Sequence, residues 1–200
     1  MSYFFSEEQL QETIRFHGHE CPGLAIGIRA SEVALSYFDG VKDLMCITET
    51  DMCGVDAIQF LTGCTFGKGN LIHRDYGKKA FSFYAEESGK GIRLVYDDSA
   101  CADLYQELHD LTGKKMKGDA SPDELKSLQS VRSKMQQAIM DAPAQSLFRV
   151  KKTGEKPRGA AILESLCCEK CKELTMESRT RRFEGSTYCI PCFQHVEQKI

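Results

Sequence analysis

Apolar positions along the first 150 residues alternate between a helical period and a strand period, with turn residues between them. Ser6 can cap a first helix running to about residue 16, with Glu7 and Glu8 in its opening turn and Leu10, Ile14 and Phe16 as its stripe. Pro22 suits the first position of a second helix, which makes Cys21 its N-cap, and Leu24, Ile28, Val33, Leu35 and Phe38 carry it to the Asp39-Gly40 stop. Gly23, Ala25, Gly27, Ala30 and Ala34 leave that helix with a small surface, which predicts close approach of another element. Residues 44–50 read as a strand, 55–61 as a short helix and 63–70 as a glycine-rich loop. Three strands in a meander are predicted at 71–74, 80–85 and 92–96. A helix follows over 98–111, and Ser121-Pro-Asp-Glu124 opens another that carries Leu125, Leu128, Val131, Met135 and Ile139. Residues 146–151 form a last strand. The sum is an α+β domain, an antiparallel sheet flanked by helices.

Composition adds a boundary. Of the 200 residues 42% are hydrophobic and 28% charged, enough apolar content for a real core and too much for disorder. The formal net charge of -3 is unevenly spread: residues 1–150 hold 16 Lys and Arg against 22 Asp and Glu, whereas residues 151–200 hold 10 against 7. The polar stretch from Lys151 to Gly159 contains Pro157 and two glycines and reads as a linker. The predicted organisation is a core over 1–150, a linker over 151–160 and a tail over 161–200. No apolar run approaches the ~20 residues that cross a bilayer, and residues 1–10 lack a basic segment followed by an apolar one. The expectation is a cytoplasmic protein with no membrane partner, whose ten cysteines are thiols rather than a disulfide scaffold.

Cys168-x2-Cys171 and Cys189-x2-Cys192 are separated by 17 residues, the spacing of a four-cysteine zinc ribbon. Each CxxC turn presents two thiolates to one side, and two such turns complete the tetrahedron that zinc prefers. Four cysteines leave no open position, so the zinc is structural. Cys167 competes with Cys168 as ligand, the CxxC spacing favouring Cys168. Arg179, Arg181 and Arg182, with Phe183 and Tyr188 nearby, offer phosphate contacts and stacking to a nucleic acid, against the simpler account of ordinary surface arginines.

The most informative stretch of the core is Phe16-His17-Gly18-His19-Glu20-Cys21-Pro22-Gly23, which packs two imidazoles, a carboxylate and a thiol at a helix-to-helix junction. A thiol at a helix N-terminus has its thiolate favoured by the macrodipole, suiting it as nucleophile or metal ligand. Cys53 precedes the third helix and Cys64 follows it, and both reach the same cleft if the sheet brings the segments together; the other reading of each is a small buried hydrophobe. Asp51 and Asp56 flank Cys53 as potential acceptors for a ligating imidazole. The loop Gly63-Cys-Thr-Phe-Gly67-Lys68-Gly69-Asn70 lacks the spacing of a Walker motif, which excludes a nucleotide triphosphatase of that type.

Together with Cys53-Gly-Val-Asp-Ala-Ile-Gln59, Thr62 to Leu71 and Asp75-Tyr-Gly-Lys78, the His17 segment resembles the FmdE family, associated with formylmethanofuran dehydrogenase. The tail, with Cys167-Cys168-Glu-Lys-Cys171 and Cys189-Ile-Pro-Cys-Phe193, resembles the zinc-ribbon extension of some members. The resemblance implies an α+β core that forms a homodimer and a metal or cofactor cleft near His-x-His-x-Cys, with His17, His19, Cys21, Cys53 and Cys64 as its residues. Thiolate and imidazole together suit zinc, nickel, copper or iron better than magnesium or calcium. The leading reading is therefore an accessory or subunit protein with a second transition metal in the core and a ribbon that docks a protein partner. The alternatives are a metal-responsive regulator that contacts nucleic acid, and an enzyme using Cys21 as nucleophile or an open core metal with Glu20 as acid or base.

Overall fold

The computed structural model describes residues 4–39, 41 and 43–194 and divides into two compact units, 1–159 and 160–200. In the first unit, α1 (Glu7–His17) starts from a capping box: the Ser6 hydroxyl accepts from Gln9 N while Gln9 reaches back to the Ser6 N–H. It stops at Gly18, whose φ of 93° is the left-handed conformation that favours glycine. The chain then re-enters a helix at once, α2 (Pro22–Tyr37), capped by the Cys21 sulfur and buried along most of its length. After β1 (Leu44–Thr48), α3 (Gly54–Thr62) packs against α2.

The contact between α2 and α3 is made by backbone. A Cβ on Gly27 would lie 2.1 Å from the Gly54 carbonyl oxygen, and one on Gly54 would lie 2.9 Å from the Gly23 oxygen. The small face of α2 is thus the groove into which the start of α3 fits. The close approach sets the N-terminus of α3 beside that of α2. Arg29, buried on α2, ties the other side of that helix to α5 (Pro122–Asp141) by donating to the Ala142 carbonyl at 2.5 Å.

The sheet has the order β2-β1-β3-β4-β5, from β2 (Leu71–His73), β3 (Ala80–Ala85), β4 (Gly91–Tyr96) and β5 (Phe148–Lys152) around β1. It is antiparallel except at β1–β2, which are parallel, with Cys46 opposite Leu71. The predicted meander of 71–74 with 80–85 is corrected here: β1 sits between them. The reason is topological, since β1, α3 and β2 form a crossover that returns the chain in its original direction. One face of the sheet (Leu44, Cys46, Phe81, Phe83, Ile92, Leu94) packs on α2, α3 and α5. The other carries Met45, Ile47 and Tyr84.

Two further boundaries shift. The helix predicted over 98–111 is a 3-10 turn at Asp98–Cys101 followed by α4 (Ala102–Lys117), which has no buried residue and lies against α5. The predicted linker begins inside the sheet: Lys151 and Lys152 pair with Arg93 and Ile92 in β5, Thr153 N donates to Gly91 O, and Lys156 pairs with Glu86. The second unit consists of two hairpins, β6 (Ser165–Cys167) with β7 (Leu174–Met176) and β8 (Thr180–Phe183) with β9 (Ser186–Cys189), closed by α6 (Ile190–Phe193). No helix among the described residues is long and apolar enough to cross a membrane.

Two outcomes follow from this packing. Gly27→Ala drives a methyl into the Gly54 backbone, so it lowers unfolding free energy by about 2 kcal/mol or more, read as a lower urea midpoint. The Arg93 guanidinium grips the buried Glu49 carboxylate with bonds of 2.6 and 2.7 Å and holds its pKa below the ordinary 4.5. That pair therefore contributes stability above pH 4.5 that is lost as the pH falls through the lowered value. Glu49→Gln is less stable at neutral pH and shows a weaker dependence on acid, measured by urea titrations across pH 3–7.

Candidate metal centre and cleft

Because α2 and α3 begin side by side, Cys21 and Cys53 face each other from two helix N-termini, and Gly23 is the space between them: a Cβ there would lie 3.2 Å from Cys53 Cβ. The last turn of α1 and the bend at Gly18 bring His17 and His19 to the same place, with ring centroids 4.4 Å apart. One donor atom from each of His17, His19, Cys21 and Cys53 lies within 4.8 Å of all the others. His17 Nδ1 is 2.7 Å from Asp56 Oδ2, and Nε2 is 3.9 Å from Cys21 Sγ. With the proton on Nδ1, donated to the carboxylate, the Nε2 lone pair is left pointing at the cluster.

The two thiols are held differently. Leu24 N–H donates to Cys21 Sγ at 3.3 Å, whereas the Cys53 sulfur receives no such bond from α3. Burial pushes the Cys53 thiol up, and the neighbouring Cys21 adds to it. Two adjacent thiolates with two imidazole lone pairs form a set that a cation between them relieves.

Cys64 is not part of this set, and its candidacy is corrected. Its thiol is fully buried in the core and donates to the Leu44 carbonyl at 3.3 Å, on the opposite end of α3 from Cys53. Burial raises its pKa, as it does that of Cys46. Asp51 is exposed and takes no part, and Glu20 is exposed and accepts from Gln136 Nε2 at 3.2 Å. The glycine-rich loop is a packed turn pinned by Asn70, which accepts from Thr65 N and donates to the Leu44 carbonyl.

The cluster opens onto a cleft of about 530 Å³. His19, Cys21 and Cys53 line one part of it; Ile26, Phe81 and Met135 form apolar walls from α2, β3 and α5, and Leu108, Thr112 and Met116 contribute from α4. Lys79 also lines it, held by Asp98 at 2.5 Å and Tyr105 Oη at 3.1 Å, with its charge over the Tyr105 ring. The contribution of α4 was not foreseen from the sequence, although its weakly apolar stripe and lack of a second packing face were the signal available.

In the tail, Cys168, Cys171, Cys189 and Cys192 bring one sulfur each within 4.8 Å of the others, and Cys167 lies outside with its thiol donating to the Lys172 carbonyl. The backbone N–H groups of Cys171 and Cys189 aim at Cys168 Sγ and hold that thiol down at about 6, while the Cys189 thiol helps push Cys192 up to about 12. Four thiols at this separation fit the tetrahedral zinc of a ribbon.

Residues 16–149 match the family described as FmdE, molybdenum formylmethanofuran dehydrogenase operon. The chain belongs to the FmdE family. Residues 161–198 match the prokaryotic DksA/TraR C4-type zinc finger. An Archaeoglobus fulgidus protein named a probable S-adenosyl-L-methionine-binding protein is 32% identical over 192 residues, covering 88% of this chain and 52% of that protein. The chain thus spans about half the length of that relative. A crystal structure of a tungsten formylmethanofuran dehydrogenase FmdE-like protein from Syntrophus aciditrophicus shares the fold, with a TM-score of 0.65 at 24% identity over 98% of this chain and 96% of that one. The zinc-finger match and the two clusters make this a metal-binding FmdE-family protein, with zinc the ion supported for the tail.

The burial of each thiol sets its reactivity. In folded, metal-stripped protein, iodoacetamide labels Cys21 and Cys53 and leaves Cys46 and Cys64 unmodified until denaturant is added, as read by peptide mass spectrometry. Native labelling of Cys64 at the rate of Cys21 would place it in the cleft instead.

Proposed function

We propose that this FmdE-family chain is a metal-binding accessory or subunit protein whose core holds a transition metal on His17, His19, Cys21 and Cys53, beside a cleft that takes a small molecule. The observation that carries this is the convergence of four donor atoms from two chain segments, 17–21 and 53, within 4.8 Å, with Asp56 orienting one of them. The donor set fits the group: two thiolates and two imidazoles suit zinc and its borderline-soft neighbours. A bound metal supplies Lewis acidity and lowers the pKa of what it binds. The chain's own residues do the rest. Asp56 fixes the tautomer of His17, the Leu24 N–H orients the Cys21 sulfur, and the apolar walls exclude water from the occupant.

The same reading assigns the ribbon's zinc a structural role and its exposed face a protein partner. It also takes the protein as a homodimer, which the family resemblance implies, and as cytoplasmic, in keeping with free thiols at every cysteine. The name of the Archaeoglobus fulgidus relative makes S-adenosyl-L-methionine a first probe for the cleft. A second reading rests on the line Cys21, His17, Asp56, in which the thiol, imidazole and carboxylate are ordered as nucleophile, base and orienter. It makes the protein an enzyme acting through Cys21.

Metal content separates the two. Elemental analysis of protein isolated without added metal should give two metals per chain, and Cys21→Ala or His17→Ala should remove the core metal and spare the ribbon's zinc. Asp56→Ala should weaken core metal affinity by about 10- to 100-fold, measured by competition with a chromophoric chelator. One metal per chain, confined to the ribbon, transfers weight to the thiol enzyme.

A further inference from the structure

The four core donors are not equivalent. His17 has a side chain only 9% exposed and is held by Asp56; Cys21 is held by Leu24 N–H; Cys53 is wedged against Gly23. His19 is exposed, follows the left-handed Gly18, and has no hydrogen-bond partner among the described residues beyond its ring contact with His17. It also lines the cleft, whereas His17 does not. A ligand without an orienting partner, on a glycine bend, and standing between the cluster and a cavity is the one that an incoming donor can displace.

We infer that the core site is a three-ligand centre of His17, Cys21 and Cys53 whose fourth position is covered by an exchangeable His19, and that the cleft's occupant is a thiol with an apolar body and a carboxylate. This rests on the metal reading above and names the ligand class for that site. The donor follows from softness, because two thiolates and an imidazole leave a centre that favours sulfur over hard oxygen. The body follows from the walls: Ile26, Phe81, Leu108, Met116 and Met135 reward removal of an apolar surface from water.

The carboxylate follows from the charges. Two permanent cations and one carboxylate line the cleft, and the carboxylate, Glu20, accepts from Gln136 Nε2. Lys79 is already neutralised by Asp98, so it braces α4 rather than receiving a ligand. Arg132, exposed on α5 one turn before the Gln136 that reaches Glu20, has no ion-pair partner among the described residues. A guanidinium fork is built to take a carboxylate bidentately. Binding would be simple ligand exchange: the thiol would lose its proton to solvent and take, on a bound metal, the place that His19 gives up, with no change of oxidation state.

The test uses the full chain with zinc in the ribbon and cobalt in the core, titrated with para-mercaptobenzoate and followed by thiolate-to-cobalt charge-transfer absorption. The expected result is growth of that absorption with para-mercaptobenzoate and none with para-hydroxybenzoate. His19→Ala retains cobalt and binds the thiol more tightly. Arg132→Gln binds it about tenfold more weakly while leaving thiophenol affinity unchanged. Loss of cobalt from His19→Ala as complete as from His17→Ala makes His19 a permanent ligand and overturns the inference with the metal site intact. No added charge transfer in the parent protein, or no effect of Arg132→Gln, overturns the thiol or the carboxylate respectively. Failure of the parent core to take up cobalt overturns the metal reading itself.

Discussion

The backbone contact between α2 and α3 is the constraint on which the core site depends. With hydrogens at positions 27 and 54, the two helices approach until one carbonyl oxygen occupies the place of a side chain. That distance sets the gap between Cys21 and Cys53, and the Leu24 N–H holds the Cys21 sulfur within it. A wider crossing would still bury Ile26, Val55 and Ile58, because hydrophobic burial is non-directional and tolerates a shift. The thiol pair would not survive it, since donor atoms a few ångströms further apart no longer share one ion. Packing of the smallest residues therefore sets the chemistry of the site.

Much of this was readable along the chain because the determinants are local. The capping boxes at Ser6 and Ser121, the Cys21 cap before Pro22 and the CxxC knuckles of the tail are decided within four residues. Asp51 and Asp56 were both legible as acceptors near a ligating imidazole, against the commoner role of caps, and only the structure separates them, with Asp56 on His17 and Asp51 exposed. What was not legible depends on partners distant in sequence. The parallel pairing of β2 on β1 follows from the way α3 packs, and β-strand periodicity is the same for both orientations. Cys64 shows the same limit: a glycine-flanked cysteine looks alike whether it faces a cleft or, as here, a strand carbonyl in the core.

The cleft illustrates a different kind of incompleteness. Its walls come from α2, α3, β3, α4 and α5, so no segment carries a signature for it. The helix that closes it, α4, buries no residue fully: Leu104, Tyr105 and Leu108 pack only in part against the core, and Leu108, Thr112 and Met116 also line the cleft. A helix packed on one side only has lower local stability than the core, and occupancy of the cleft would raise its protection from hydrogen exchange. Binding and local order are then two readings of one equilibrium.

The extension of the last core strand past Arg149 has a bearing on how the two units can be handled apart. Residues 150–152 complete the ladder on β4, and Lys156 anchors the segment beyond it to Glu86. A cut at the apparent charge boundary would remove Lys151 and Lys152, two of the five residues of β5, and leave the amides and carbonyls of β4 unpaired along Ile92 and Arg93. Such an open edge recruits other chains. A core fragment severed there would be prone to aggregate for reasons unrelated to the zinc ribbon it lost, whereas one that keeps residues through 159 retains the whole β4–β5 ladder and the Lys156 anchor.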